Sequence, residues 1–303
     1  MKDLTTLSGA ITERTVDMIR ASVSKNTLRA YRSATKQLET WLKGRVLNDA
    51  LLADYLAELF EAGKSPATIG IVVAAVKWRE GAVEVSAVGW LTRKALAGIR
   101  RKGAGRRQGS VTGLTWEQVD TVVAHCIEDG TLKGLRDGLL IRLMSDCLLR
   151  ISEAVAVNIE DFEGEALIVR QSKTDQEGEE EALFVCPRTR GFLRRYQHAA
   201  KITGGALFRT ANNNDTLRET RLSIDGARLA IKQRATQAGL EGWISGHSLR
   251  IGSAESLAEH GATLVDMQTA GRWRDPKMPA HYARSQMASR GAVARLRKEE
   301  SDE

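Results

Sequence analysis

Cysteine is scarce in this 303-residue chain. There are three, Cys126, Cys147 and Cys186, and no CxxC pair. That excludes a disulfide framework and a cysteine-based zinc finger. Their apolar neighbours, as in AHCIE, SDCLL and LFVCP, predict free thiols buried in a protein of a reducing compartment. No stretch reaches the ~18 apolar residues of a membrane-spanning helix. The opening MKDLTTLSGAITERTVDMIR lacks the apolar core of a signal peptide. A soluble, cytoplasmic protein with no membrane partner is therefore expected. Metal motifs are missing too: there is no HExxH, no paired-aspartate arrangement and no Cys/His finger. Gly-Ala-Gly-Arg-Arg at 103–107 lacks the GK[ST] ending of a phosphate-binding loop. Neither a metal nor a nucleotide cofactor is expected.

Negative charge is also missing from one long span. Between Val85 and Trp116 there is no acidic residue, while Arg93, Lys94, Arg100, Arg101, Lys102, Arg106 and Arg107 all fall there. The net charge of the whole chain is +7. Such a balance suits an anionic partner, most simply nucleic acid. The glycine-rich, basic run 103–110 reads as a linker, either merely solvated or tracking a phosphate backbone.

What is present is mostly helical pattern. Ser24 or Asn26 can cap a helix whose stripe is Leu28, Tyr31, Leu38, Trp41 and Leu42. Asn48 precedes a second helix that Gly63 stops. Ser65-Pro66 opens a third, apolar on most sides. A fourth spans roughly 89–101. Beyond the linker, Thr115 and Gln118 form a capping-box signature. Gly134–Asp146 reads as a further helix. Glu165–Arg170 and Glu181–Cys186 read as strands around a polar turn. Helices are then expected near 189–201, 223–238, 248–260, 263–270 and 276–284.

Two arginines, a lysine, a histidine and a late tyrosine, Arg150, Arg250, Lys173, His247 and Tyr282, together suggest metal-free phosphoryl-transfer chemistry. Arg150 and Arg250 can each fork onto a phosphate. Arg150 lies between Cys147-Leu148-Leu149 and Ile151, an apolar setting in which a charge needs an anionic partner. Glu153, one helical turn on, can orient it. His247 and Arg250, three apart, share one face at a helix start, where backbone N–H groups also favour an anion. Tyr282 lies downstream of all these cations, which could stabilise its phenolate as a nucleophile. Lys173, in the turn between the strands, reads on its own as solvated. Trp273 offers an indole N–H or a core ring.

The wording Leu-Leu-Arg-Ile-Ser-Glu at 148–153, Gly-His-Ser-Leu-Arg at 246–250, Ala-Gly-Arg-Trp at 270–273 and Tyr282 resembles the tyrosine recombinase (phage integrase) family. Within it the resemblance is to the Cre-like site-specific recombinases. It implies a mainly α protein: an N-terminal helical core-binding domain at 1–105, the linker at 103–110, and an α+β catalytic domain at 111–303 with a small antiparallel sheet. It implies Tyr282 as nucleophile, Arg150, His247 and Arg250 around the phosphate, Glu153 as supporting acid, Lys173 as general acid and Trp273 as donor. The linker-region cations become candidate DNA contacts. The partner is double-stranded DNA with inverted-repeat target sites. The protein would be a monomer when free and a homotetramer on synapsed DNA. A C-terminal helix after Tyr282 would dock on a neighbour or on its own domain. Strand exchange would pass through a 3′-phosphotyrosine and a Holliday junction. A type IB topoisomerase-like enzyme, a hairpin-forming resolvase and a DNA-binding protein that has lost catalysis are the alternatives.

With cationic side chains in the place that magnesium takes in other phosphoryl-transfer sites, strand cleavage is expected to persist in excess EDTA. Cleavage lost in EDTA and restored by magnesium would contradict this.

Overall fold

The computed structural model describes residues 12–80, 86–105, 111–170 and 180–284. The chain divides into two compact units, Met1–Gly109 and Ser110–Glu303.

The first unit is helical: α1 Glu13–Ala21, α2 Lys25–Leu42, α3 Asp49–Glu61, α4 Pro66–Glu80 and α5 Trp90–Lys102. Local chemistry sets the starts. Ser24 caps α2 by accepting from Thr27 N, and Asn48 caps α3 by accepting from Leu51 N. Ser65 accepts from Thr68 N ahead of Pro66. The α5 start is capped from elsewhere. Asp49 of α3 accepts from Gly89 N, Leu91 N and Thr92 N at 2.8–2.9 Å. Leu38, Leu52, Leu56, Ile69, Val76 and Ile99 fill the core between these helices.

The second unit opens with α6 Trp116–Glu128, whose Thr115–Gln118 capping box is formed on both sides. Next comes α7 Leu132–Asp146, buried along almost all its length. Its charges are neutralised inside. Arg136 donates to Asp137, and Arg234 donates to Asp137 at 3.0 Å and to Asp129 at 2.6 Å. There follow α8 Ile151–Ala156, β1 Phe162–Glu163, β2 Ala166–Val169, β3 Glu181–Phe184, α9 Pro187–Ala200, β4 Arg209–Ala211, β5 Leu217–Arg221, α10 Ile224–Gln237, α11 Gly246–Glu259, α12 Leu264–Gly271 and α13 Lys277–Tyr282. The first three strands form one antiparallel sheet in the order β1-β2-β3, with Val169 paired to Glu181.

The sheet content exceeds the single strand pair expected from sequence. β1 adds an edge, and β4–β5 form a separate antiparallel pair. The run RTANNNDTLRETR gives no apolar alternation because neither strand buries a face. The pair is held instead by polar bonds. Asp215 accepts from Leu132 N and Lys133 N at the start of α7, and Arg136 donates to Arg209 O.

Glycine places α11 against the segment before α6. A Cβ at Gly252 would run into the Leu114 carbonyl, whose own N–H donates to Ser248 O. Gly98, inside α5, has nothing within 4 Å of a built Cβ. Two opposite effects on urea unfolding follow. Gly252→Ala should destabilise by about 1–3 kcal/mol, as overpacking does. Gly98→Ala should stabilise by about 0.5–1 kcal/mol through helix propensity.

Candidate active site

Two chain reversals build the site. Leu148, buried at φ 46°, turns the chain between α7 and α8. This leaves Arg150 as the residue that starts α8, with Glu153 one turn on. Glu153 accepts from Arg150 N at 2.9 Å and from Arg150 Nη1 at 2.7 Å. The second reversal is at Arg272, φ 52°, which ends α12 and releases Trp273.

Ser245 caps α11 by accepting from His247 N at 3.2 Å. At Gly246 a Cβ would come within 3.0–3.1 Å of Ile151, so glycine lets α11 start close against α8. His247 and Arg250 thereby meet the Arg150 side. α13 then delivers Tyr282, whose hydroxyl lies 3.4 Å from His247 Nε2. The Trp273 ring sits 5.6 Å from the Tyr282 ring, and the Arg250 guanidinium lies 4.6 Å over it, within cation–π range. Leu148, Ala254, Ala258, Met267, Trp273 and Tyr282 form the apolar cluster beneath.

Arg250 is only 2% exposed. Its Nη1 donates to Leu148 O and its Nη2 to Gly271 O. From sequence this fork is expected to serve an anion; in the structure it also holds both reversals. A guanidinium has five N–H donors, so these two bonds leave capacity for a phosphate.

The charges tune one another. Burial, then Arg250 and Arg150, hold the His247 imidazole below its ordinary pKa. It is therefore neutral, and free to accept a proton, over a wider pH range. Burial raises the Tyr282 phenol, Arg250 opposes that rise and Glu255 adds to it. Burial takes Arg250 down to about 10, with Arg150 and Arg272 contributing. At Glu153 burial opposes ionisation, but Arg272 and the bonds from Arg150 outweigh it and hold the carboxyl low.

Other reactive side chains are held differently. Tyr196 is fully buried and donates to Leu207 O, and burial pushes its phenol up. Cys126 and Cys147 are buried thiols pushed up to about 12 by desolvation. His281 packs edge-on to Tyr282 at 5.6 Å. Arg93, Lys94, Arg100, Arg101 and Lys102 are exposed on α5. Lys173, Arg106, Arg107 and the stretch after Arg284 lie outside the described residues. Among the described residues no group of three or more His, Cys, Asp or Glu side chains is placed to hold a metal ion. No described helix is long and apolar enough to cross a membrane.

Residues 112–289 match the phage integrase family. The chain belongs to that family. A tyrosine recombinase XerD of Neisseria meningitidis serogroup B is 30% identical over 265 residues, covering 81% of this chain and 82% of the relative. An integrase/recombinase XerD homolog of Selenomonas ruminantium is 28% identical over 285 residues, covering 87% and 83%. Solved structures share the fold. A XerH site-specific recombinase bound to palindromic difH substrate matches with TM-score 0.67 at 17% identity, covering 88% of this chain and 78% of that one. A lambda integrase (residues 75–356) bound to DNA matches at 0.65 and 16%, covering 91% and 94%.

One residue of this integrase-family site was not singled out from sequence. Arg272 donates to Glu153 at 2.7 Å and to Glu181 at 3.2 Å, with its side chain 5% exposed. Its one local signal is a bulky residue squeezed between Gly271 and Trp273.

The electrostatics predict a shift that can be followed directly. In an NMR titration the His247 ring should titrate below the ~6.5 of an unperturbed imidazole. Arg150→Gln removes a positive neighbour, so the imidazolium becomes easier to form and the midpoint should move up. An unchanged midpoint would mean that the Arg150 charge does not reach the ring.

Proposed function

We propose that this protein is a site-specific DNA recombinase that cuts and rejoins strands with Tyr282 as nucleophile. The observation that carries the reading is the meeting of the Tyr282 phenol with His247, Arg250 and Trp273 beside Arg150. The family and its DNA-bound structural neighbours support it.

The Tyr282 oxygen attacks the scissile phosphorus while its proton passes toward His247 Nε2, 3.4 Å away. Arg150 and the free N–H groups of Arg250 receive the charge that grows on the nonbridging oxygens. Trp273 supports both Arg250 and Tyr282 and can add its indole N–H. The bond to the 5′-oxygen breaks, with Lys173 as the proposed proton donor. A 3′-phosphotyrosine and a free 5′-hydroxyl result. The 5′-hydroxyl of a partner duplex attacks that intermediate in turn. A second round on the other strand pair resolves a Holliday junction. Four copies on two inverted-repeat sites would supply the four nucleophiles. The first unit would grip DNA as the core-binding domain, and the basic α5 and linker would follow the backbone. The second unit would be the catalytic domain.

Two sets of variants test the reading. Tyr282→Phe should abolish covalent complex on a nicked suicide substrate while half-site affinity stays within roughly threefold. Persistent covalent complex would move the nucleophile elsewhere. Arg150→Ala should lower cleavage far more than binding, since its contact strengthens as charge develops. Arg101→Glu should do the reverse, weakening binding and flattening its salt dependence. Equal effects of the two changes on affinity would undo the assignment.

A further inference from the structure

Arg272 has an unusual position for a long charged side chain. It takes the left-handed conformation at φ 52° and ψ 47°, as the residue that ends α12. An L residue there is strained by roughly 1–2 kcal/mol, and glycine is the ordinary occupant. The side chain is nonetheless buried, and both of its terminal nitrogens meet carboxylates.

Those carboxylates have different neighbours. Glu153 is 3% exposed and also binds Arg150 through its backbone N–H and its guanidinium. Glu181 stands at the start of β3, paired with Val169 of β2. The sequence between those strands carries Lys173. Arg272 thus stands between the acid that orients Arg150 and the root of the strand pair that leads to Lys173.

Charge gives this geometry a consequence. A buried carboxylate facing Arg150 alone would form a closed pair with it, leaving little net charge for a phosphate. Shared with the more deeply buried Arg272, the same carboxylate can hold Arg150 in place without cancelling it. Arg150 keeps 21% of its side chain exposed, whereas Arg272 keeps 5%. Among the groups that keep Glu153 ionised, Arg272 ranks ahead of the Arg150 bonds.

We propose that Arg272 is a positioning residue for strand cleavage, fixing Arg150 through Glu153 and tying it to the β2–β3 pair through Glu181. This rests on the recombinase reading above.

The test uses the full chain and single-turnover cleavage of a nicked suicide substrate, with half-site affinity measured in parallel. Arg272→Met removes the charge and keeps the length. It should slow cleavage by roughly 10- to 100-fold, the scale of a small misplacement of a reacting group. Half-site affinity should stay within roughly threefold. Arg272→Lys should recover part of the rate. Arg272→Gly also loses the ion pairs but relieves the left-handed strain, so it serves where the Met variant folds poorly. Glu181→Gln should give a smaller loss in the same direction. The deciding readout is coupling to Arg150. In an Arg150→Lys background, Arg272→Met should cost less than roughly threefold more, because its route is already disabled. Equal losses in both backgrounds, or near-normal cleavage by the Met and Gly variants, would overturn the proposal. So would matched losses of affinity and rate. Wild-type protein forming covalent complex, with none from Tyr282→Phe, keeps the recombinase reading standing whatever Arg272 does. No covalent complex from the wild type would remove both.

Discussion

A single buried guanidinium organises the second unit. Arg250 spends two donors on carbonyls that belong to two different chain reversals, those of Leu148 and Arg272. Its face lies on Trp273. Three segments that are distant in sequence, around 148, 250 and 271–273, are therefore fixed by one side chain. Burying a charge is costly unless hydrogen bonds compensate it, and removing such a group leaves its partners unpaired. The elements that present Arg150, His247 and Tyr282 all depend on this arrangement. The depressed basicity of Arg250 records the burial that the arrangement demands.

The comparison of two tyrosines shows what the cations add. Tyr196 and Tyr282 are both buried, and burial raises both phenols. Tyr196 is bonded to a backbone carbonyl deep in the core and has no open face. Tyr282 faces a neutral imidazole and has a guanidinium working against the desolvation. The first is a packing residue with a satisfied hydroxyl. The second has its hydroxyl directed at groups suited to removing its proton and stabilising its anion.

Much of this was legible in the residues. Ser24, Asn48, Ser65-Pro66 and the Thr115–Gln118 box mark helix starts that form where the sequence puts them, because capping is local chemistry. The His247–Arg250 spacing lands on one helix, and Arg150–Glu153 on another, for the same reason. The β4–β5 pair was not legible, since its anchors are Asp215 and Arg136, far apart in sequence and polar. Leu148 and Arg272 were missed as turning points because both occupy a conformation that glycine usually announces. The inward fork of Arg250 could not be seen either. Its partners are backbone carbonyls, which carry no residue code.

The shortness of α13 has its own consequence. Six residues make fewer than two turns, too few to persist in water without docking. Its hold on the unit comes from the buried Pro279 and Tyr282, so the proposed nucleophile is itself part of the anchor. Release of this turn would be a local unfolding event, separate from the opening of the long buried helix α7. Whenever the turn lets go, the phenol leaves with it. On the proposed role of Tyr282, the fraction of molecules ready to react would then be an equilibrium population, and a surface that covers this turn would shift it without touching the cationic residues.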